Sequence, residues 1–193
     1  MAVEPVRNPA PASFNAPTRR DGVRAVAFVG VCAALSFVCG MVGWTAPQGG
    51  RVSLADVPVL ALALAMGWRP ACLAGALAGL LHYPQQPVTV HPLSLLLDYP
   101  VSGACLGLAG LPLFRRPGRV WALAGVVTAI AGKYAVHVWS GVLFWAQGLQ
   151  GLTAWRFSLI YNATYMLPTL GVDLAVMAVL ARRMGQGRGA HVA

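Results

Sequence analysis

Charge is scarce in this sequence. Only 10% of its 193 residues are charged and 58% are hydrophobic, whereas about a quarter of the residues in an ordinary soluble domain are charged. Together with a mean hydropathy of +0.66, this scarcity excludes an ordinary soluble domain and predicts a membrane protein.

Acidic residues are the scarcer kind of charge: there are 5 of them against 14 basic residues, for a formal net charge of +9. A basic excess can indicate nucleic-acid binding. Here the arginines cluster at the edges of apolar stretches, and no basic patch is interleaved with aromatic residues. We therefore expect the chain to contact membrane lipid and to have no nucleic-acid partner.

The sequence also lacks the motifs of several chemistries. It contains no GxxxxGK[ST] phosphate-binding loop, no HExxH and no GxSxG. Its four cysteines lie in apolar runs without CxxC spacing, which is typical of reduced packing residues: Cys32, Cys39, Cys72 and Cys105. We predict no metal, no cofactor and no catalytic residue, and hence a binding protein whose energy source lies elsewhere.

Six apolar stretches are candidates for membrane-spanning helices, for which about 20 residues are needed. They cover about residues 23–43, 52–66, 68–81, 92–114, 120–145 and 155–181. The second and third are short and meet at Gly67. The sequence thus predicts an all-α integral membrane bundle of six transmembrane helices.

The arginines predict the orientation of this bundle, because cytoplasmic loops carry an excess of positive charge. If both termini are cytoplasmic, only Arg51 and Arg156 fall outside, and the sole lysine, Lys133, lies within the fifth helix. The other arginines fall on the cytoplasmic side: Arg7, Arg19, Arg20, Arg24, Arg69, Arg115, Arg116, Arg119, Arg182, Arg183 and Arg188.

The two ends of the chain are predicted to be tails. Residues 1–22 are polar and rich in Pro and Ala, as in a disordered cytoplasmic segment. Residues 182–193 are also polar and are predicted to form a second cytoplasmic tail. Between them, residues 23–181 form the predicted membrane domain.

Small residues recur at a spacing of four along the predicted helices. The pairs are Gly30 and Ala34, Ala74 and Ala78, Gly75 and Gly79, and Gly103 and Gly107. In a bilayer such stripes let helix backbones approach closely. Compositional chance is the alternative explanation in a chain so rich in Gly and Ala.

Three polar side chains are predicted to lie at one depth. A charge in hydrocarbon costs at least a few kcal/mol, so polar residues inside the membrane are functional candidates. From the helical rise, Asp98, His137 and Asn162 lie roughly 9, 12 and 10 Å from the outer ends of their helices. Three helices therefore place an acid, an imidazole and a carboxamide in one layer.

The fifth helix carries a polar stripe through this layer. Lys133, His137, Gly141 and Trp145 recur every four residues and share a face. Lys133 lies about a turn below the layer, where it could pair with Asp98 or reach an anionic group on a ligand. Two explanations stay open: a ligand site, or a self-satisfied polar network that only orients the helices.

The remaining titratable residues of the apolar region are expected to be structural. Asp56 is predicted to cap the second helix or to pair with Arg51, and Asp173 is predicted to meet a cytoplasmic arginine. His82 and His91 flank the loop between the third and fourth helices and are predicted to lie in water.

Four segments, in their order and spacing, resemble the thiamine-specific substrate-binding S component of energy-coupling-factor (ECF) transporters. They read GGRVSLADVPVLALALAMGWRPACLAGALAGLLH, LLLDYPVSGACLGLAG, KYAVHVWSGVLFW and FSLIYNATYMLP, and the resemblance covers about residues 24–181. It implies a multi-pass protein of a prokaryotic plasma membrane that is not an enzyme. Such a protein captures thiamine from outside and delivers it to a transmembrane coupling subunit with two ATPase subunits.

The resemblance also implies a role for individual residues. Asp98 falls on the acid that reads the aminopyrimidine of thiamine, and His137 and Trp145 fall on stacking rings. The full implied ligand-binding set is Asp98, Tyr99, Lys133, His137, Trp145, Phe157 and Asn162. Gly30 and Ala34 fall on the small-residue pattern that docks on the coupling subunit.

The chain departs from the family pattern in two places. Phe157 stands where the family has a tyrosine, and Trp44 is out of register with the family's tryptophan in the first loop. Three rival hypotheses stay open: an S component for a thiamine precursor or related vitamin, a membrane enzyme using Asp98 and His137, and a transporter driven by an ion gradient.

Overall fold

The computed structural model describes residues 19–85, 87 and 89–189, and six helices follow one another along this part of the chain. They are α1 (Arg19–Met41), α2 (Val57–Met66), α3 (Trp68–His82), α4 (Pro92–Gly110), α5 (Arg119–Trp145) and α6 (Gly151–Gly189). A short 3-10 turn, Tyr83–Gln85, follows α3. The predicted helical membrane fold is confirmed.

Four of these helices are long and apolar enough to cross a membrane. The qualifying segments are Gly22–Met41, Pro92–Gly110, Arg119–Trp145 and Gly151–Arg182. The other two, α2 and α3, have 10 and 15 residues, which corresponds to about 15 and 22 Å of helix. They are shorter than the hydrocarbon core of about 30 Å.

The helix boundaries differ from the predicted ones at both ends of the chain. α1 begins four residues before position 23, and α6 continues past position 181 to Gly189. Residues 1–18 and 190–193, which hold most of the first predicted tail and the end of the second, lie outside the described residues.

A two-stranded hairpin between α1 and α2 corrects the all-α prediction. β1 (Gly43–Thr45) and β2 (Arg51–Ser53) pair antiparallel, with Trp44 opposite Val52. The predicted second span therefore begins too early, because α2 starts only at Val57. Strands of three residues are too short to show the alternation of period two by which a strand is recognised in a sequence.

Gly67 is the whole connection between α2 and α3, as the sequence predicted. Its φ of 101° lies in a region that glycine adopts without the steric cost of a Cβ. Both helices pack against α1 and against the carboxyl-terminal half of α4. The short pair is thereby held inside the bundle by its neighbours.

Glycines let α3 and α4 approach to backbone contact. A Cβ at Gly75 would collide with the carbonyl of Gly103, and one at Gly79 would collide with the carbonyl of Tyr99. The predicted packing stripes of α3 and α4 are confirmed. Gly30, in contrast, has nothing within 4 Å of its Cβ position, and Ala34 is exposed.

The hydrophobic core occupies one end of the bundle. Its buried members come from α2, the start of α3, the end of α4, the start of α5 and the end of α6: Leu60, Ala63, Ala71, Ala109, Val126, Ala129 and Met177. α1 adds Val29 and Ala33. Because this end is filled, the polar residues of the sequence are left to line the other end.

The close contact between α3 and α4 predicts a strong effect of one methyl group. Gly75→Ala should lower the stability of the isolated protein by about 1–3 kcal/mol, because the two backbones must move apart. Thermal unfolding of the purified protein in detergent, followed by circular dichroism, measures this as a lower melting temperature.

Gly171→Ala is the matched control, because nothing lies within 4 Å of its Cβ position. It should melt at or above the temperature of the wild type, since alanine favours a helix over glycine. A Gly75→Ala protein that melts like Gly171→Ala would contradict the contact.

Candidate functional site

A cavity of about 660 Å³ lies at the polar end of the bundle, between the hairpin and α1, α3, α4, α5 and α6. All seven residues of the predicted ligand-binding set line it: Asp98, Tyr99, Lys133, His137, Trp145, Phe157 and Asn162. The volume falls in the range of about 300–1,000 Å³ that is typical of small-molecule sites.

Pro100 explains the local shape of α4 at Asp98. Proline has no N–H to donate to the preceding turn, and its ring clashes with the carbonyl four residues before it. The helix widens here into a π-helical turn, Leu97–Val101. The hydroxyl of Ser102 donates to the carbonyls of Asp98 (2.7 Å) and Tyr99 (3.2 Å), which satisfies backbone acceptors at the distorted turn.

The Asp98 carboxylate is held by two side chains of α5. Trp145 Nε1 donates to Asp98 Oδ2 at 3.1 Å, and His137 Nδ1 lies 3.5 Å from Asp98 Oδ1. Trp145 ends a second π-helical turn, Gly141–Trp145. An ionised carboxylate has about four acceptor positions, so Asp98 retains acceptor capacity on the cavity side.

Aromatic rings form the wall of the cavity on α6. Phe157 stacks on Tyr161 with centroids 5.9 Å apart, and Tyr165 meets the ring of His137 edge-on at 6.4 Å. Tyr161 and Tyr165 were absent from the predicted set because aromatic residues are common near any membrane interface. Their recurrence every four residues from Phe157 was the available signal.

Asn162 is buried, and its amide is engaged by the protein. Its Nδ2 donates to the Ser158 carbonyl at 2.8 Å and lies 3.2 Å from Ser158 Oγ, while Tyr165 OH donates to its Oδ1 at 2.6 Å. A carboxamide has two N–H donors and an oxygen with two lone pairs. One lone pair of Oδ1 is therefore the capacity that Asn162 retains.

Lys133 pairs with Asp56, an acid for which the sequence predicted other partners. Its Nζ lies 2.7 Å from both carboxylate oxygens of Asp56, so the predicted pairing with Asp98 is wrong. Asp56 makes no capping hydrogen bond to α2 and does not pair with Arg51. Asp56 and Lys133 are 77 positions apart in sequence, and no local pattern reports such a contact.

Asp173 and His82 also differ from their predictions. Asp173 is fully buried, and neither of its oxygens has a hydrogen-bond partner within the described part of the chain, so it does not meet an arginine there. His82 lines the cavity instead of lying in water. Its Nε2 lies 3.2 Å from Ser36 Oγ, and Ser36 itself donates to the Ala55 carbonyl at 2.7 Å.

His91 is exposed at the start of α4. Its Nδ1 accepts from the Leu93 N–H at 3.1 Å, which caps the helix, and its ring stacks on Phe144 with centroids 5.0 Å apart. His91 therefore has a structural role and does not line the cavity.

The hairpin between α1 and α2 covers the cavity and is fastened to α6. Tyr161 OH donates to the Gln48 carbonyl at 2.8 Å, and Gln48 Nε2 donates to Thr164 Oγ1 at 2.7 Å. A Cβ at Gly50 would collide with the ring of Tyr165. Trp44 is 61% exposed and faces away, so Gln48, which the sequence did not indicate, supplies this contact.

Known proteins share both sequence and fold with this chain. The family model described as thiamine transporter protein (Thia_YuaJ) matches residues 26–187. The thiamine transporter ThiT of Bacillus subtilis (strain 168) is 32% identical over 160 residues, which cover 76% of this chain and 82% of the relative. ThiT of Lacticaseibacillus paracasei is 30% identical over 139 residues, or 64% of this chain and 69% of the relative.

Two solved structures have the same arrangement of helices. ThiT from Listeria monocytogenes has a TM-score of 0.73 at 23% identity, covering 84% of this chain and 95% of that one. The S component of a bacterial ECF transporter has a TM-score of 0.62 at 16% identity, covering 86% and 97%. The relatives are named as transporters, which contradicts the alternative of a membrane enzyme. The chain therefore belongs to the thiamine transporter protein family, Thia_YuaJ, and is a multi-pass protein of a prokaryotic plasma membrane.

Proposed function

We propose that this chain binds thiamine from outside the cell and, as the S component of an ECF-type importer, delivers it to a separate ATP-driven module. The observation that carries the proposal is the Asp98 carboxylate, which is set into a large cavity between Trp145 and His137. The names of the relatives, thiamine transporters and an ECF S component, support it.

Thiamine has two groups that match the two kinds of wall in this cavity. Its aminopyrimidine carries an amine, which suits the acceptor capacity left on Asp98. Its thiazolium is a cation, which an aromatic face attracts by about 0.5–2 kcal/mol. The rings of Trp145, Phe157 and Tyr161 supply such faces beside the carboxylate.

The other members of the predicted set have supporting roles in this proposal. His137 and Tyr99 line the site beside Asp98, and Asn162 offers one lone pair while its Nδ2 donates to the His137 carbonyl on α5 at 3.5 Å. The charge of Lys133 is neutralised by Asp56, and Lys133 lines the cavity. Phe157 provides a ring face without a hydroxyl.

Asp98→Asn should weaken thiamine binding about 10- to 100-fold, because hydrogen bonds to a charged group contribute about 1.5–3 kcal/mol and the ligand is a cation. The substitution keeps the shape of the side chain. Calorimetric titration of the purified wild type and variant measures the change. An unchanged affinity would remove Asp98 from the site.

Two tryptophan variants locate the binding site in a fluorescence titration with thiamine. Trp145 lines the cavity, whereas Trp139 is 56% exposed and does not line it. Thiamine should quench the fluorescence of the wild type and of Trp139→Phe, and the quenching should be largely lost in Trp145→Phe. Competition with the pyrimidine and thiazole halves of thiamine separates the vitamin from its precursors as the preferred ligand.

The small-residue face of α1 is the proposed docking surface for the coupling subunit. Ala27, Gly30 and Ala34 are exposed on one side of the helix, and the space above Gly30 is open. Small residues allow another helix to approach closely in a bilayer. None of these three residues lines the cavity.

Ala34→Trp should abolish association with the coupling module and leave thiamine binding unchanged, because a bulky ring blocks close helix approach on that face. Copurification of tagged variants with the coupling subunit and ATPases measures the first effect. Phe28→Trp, on another side of α1, is the control and should copurify normally. Normal copurification of Ala34→Trp would exclude this face.

The proposed topology has six spans with both termini in the cytoplasm. The arginine distribution supports it, and the short α2 and α3 are accommodated because their neighbours bury them. The domain limits proposed from the sequence follow from it: a membrane domain over about residues 23–181 with a cytoplasmic segment at each end.

Cysteines in place of two exposed arginines test this topology. Arg156→Cys should react with a membrane-impermeant maleimide in intact cells, whereas Arg119→Cys should react only after permeabilisation. The four native cysteines are partly buried, and the unmodified chain gives their background. The opposite labelling pattern would contradict the orientation.

A further inference from the structure

The helix α3 exposes a stripe of leucines on the outside of the bundle. Leu73, Leu77 and Leu80 are exposed, and their spacing of four and three residues places them on one face of the helix. The opposite face of α3 is buried and includes Ala74 and Ala78. Lipid tails are as apolar as leucine, so the stripe is a surface along which an acyl chain can lie.

Arg69 ends this leucine stripe on the same face. It lies four residues before Leu73 and is exposed, with its guanidinium carbon 5.3 Å from the centroid of the Trp68 ring. From Arg69 to Leu80 the helix rises about 16 Å, which is about half of a hydrocarbon core of about 30 Å. The stripe therefore has the length of one leaflet and carries a cation at one end.

Two more arginines reach this end of α3 from the turn between α4 and α5. Arg115 Nη2 donates to the Ala65 carbonyl at 3.1 Å, and Arg115 Nη1 is 3.2 Å from the Cβ position of Gly67. Arg116 follows it in sequence, and its guanidinium carbon lies 5.1 Å from the centroid of the Trp121 ring. Two turns that are distant in sequence therefore contribute to one basic surface.

This basic surface, defined as Arg69, Arg115 and Arg116, has no acidic partner. Segments 65–72 and 110–121 contain no Asp or Glu, and none of the three arginines forms an ion pair within the described part of the chain. The hydrogen bond to the α2 carbonyl uses one of the five N–H donors of Arg115. Guanidinium groups bind phosphate oxygens with parallel N–H donors, so the surface is suited to a phosphate.

We propose that the basic surface holds the phosphate of an anionic phospholipid whose acyl chain lies along the leucine stripe of α3. Charge complementarity favours an anionic headgroup over a zwitterionic one, because basic clusters beside membrane helices attract anionic lipids. The stripe favours a lipid over free phosphate, because only a lipid can use the apolar face. None of these residues lines the cavity, and the inference goes beyond the proposed function without depending on it.

Native mass spectrometry of the full-length protein in detergent tests the site, with equal amounts of phosphatidylglycerol and phosphatidylcholine that have identical acyl chains. The wild type should retain phosphatidylglycerol in preference. Arg69→Gln combined with Arg116→Gln should reduce this preference about tenfold, because each lost arginine weakens the attraction to an anionic headgroup. Lysine at both positions should give an intermediate preference, because it keeps the charge without the planar fork.

Arg20→Gln combined with Arg156→Gln is the matched control. It removes the same charge from two exposed positions outside the basic surface and should keep the preference of the wild type. Thermal unfolding gives a second measurement within each protein. Phosphatidylglycerol should raise the melting temperature more than phosphatidylcholine does in the wild type and the control, and this difference should be lost in Arg69→Gln with Arg116→Gln.

Equal retention of the two lipids by the wild type would overturn the inference, and so would an equal loss of preference in the control, which would indicate an effect of net charge alone. Displacement of the lipid by glycerol phosphate would identify a site for free phosphate instead. If Arg69→Gln with Arg116→Gln keeps its lipid preference but no longer copurifies with the coupling module, the basic surface is a protein interface and the inference is wrong.

Discussion

The hydrogen bond from the Trp145 indole to the Asp98 carboxylate connects α5 to α4 at the wall of the cavity. Each of the two residues lies within a π-helical turn, Asp98 in Leu97–Val101 and Trp145 in Gly141–Trp145. Pro100 causes the first turn by removing a backbone donor. The polar end of the bundle thus depends on a local defect in α4, and such π turns occur frequently at functional sites.

A charged residue inside an apolar bundle is tolerated where a partner of opposite charge is available. The remaining charged residues differ in whether they have such a partner. Asp56 and Lys133 satisfy each other with two short contacts, which join α5 to the start of α2. Asp98 and Arg51 lack such full compensation, and both face the cavity. Uncompensated charge in a low-dielectric site is costly until a ligand neutralises it, so a cationic ligand gains from binding beside Asp98.

Much of the fold followed from local patterns, whereas the charge pairs did not. The six helices, the break at Gly67 and the glycine contact of α3 with α4 were all visible as runs, spacings and small residues. The predicted layer of Asp98, His137 and Asn162 also lines one cavity, since depth along a helix can be counted. Asp56 with Lys133, Ser36 with His82, and Gln48 with Tyr161 join residues distant in sequence, and a single sequence contains no record of such contacts. The hairpin was missed because its strands are too short to show alternation.

The helices α4 and α1 each line the cavity with one set of residues and use a second set for contact with another helix. In α4, Asp98 and Tyr99 line the cavity, and Gly103 and Gly107 let the same helix pack closely against α3, so the site lies next to a backbone contact between helices. In α1, Ser36 faces inward to His82, while Gly30 and Ala34 face outward from the bundle. α1 is therefore an element that contacts the cavity on one side and the proposed coupling subunit on the other.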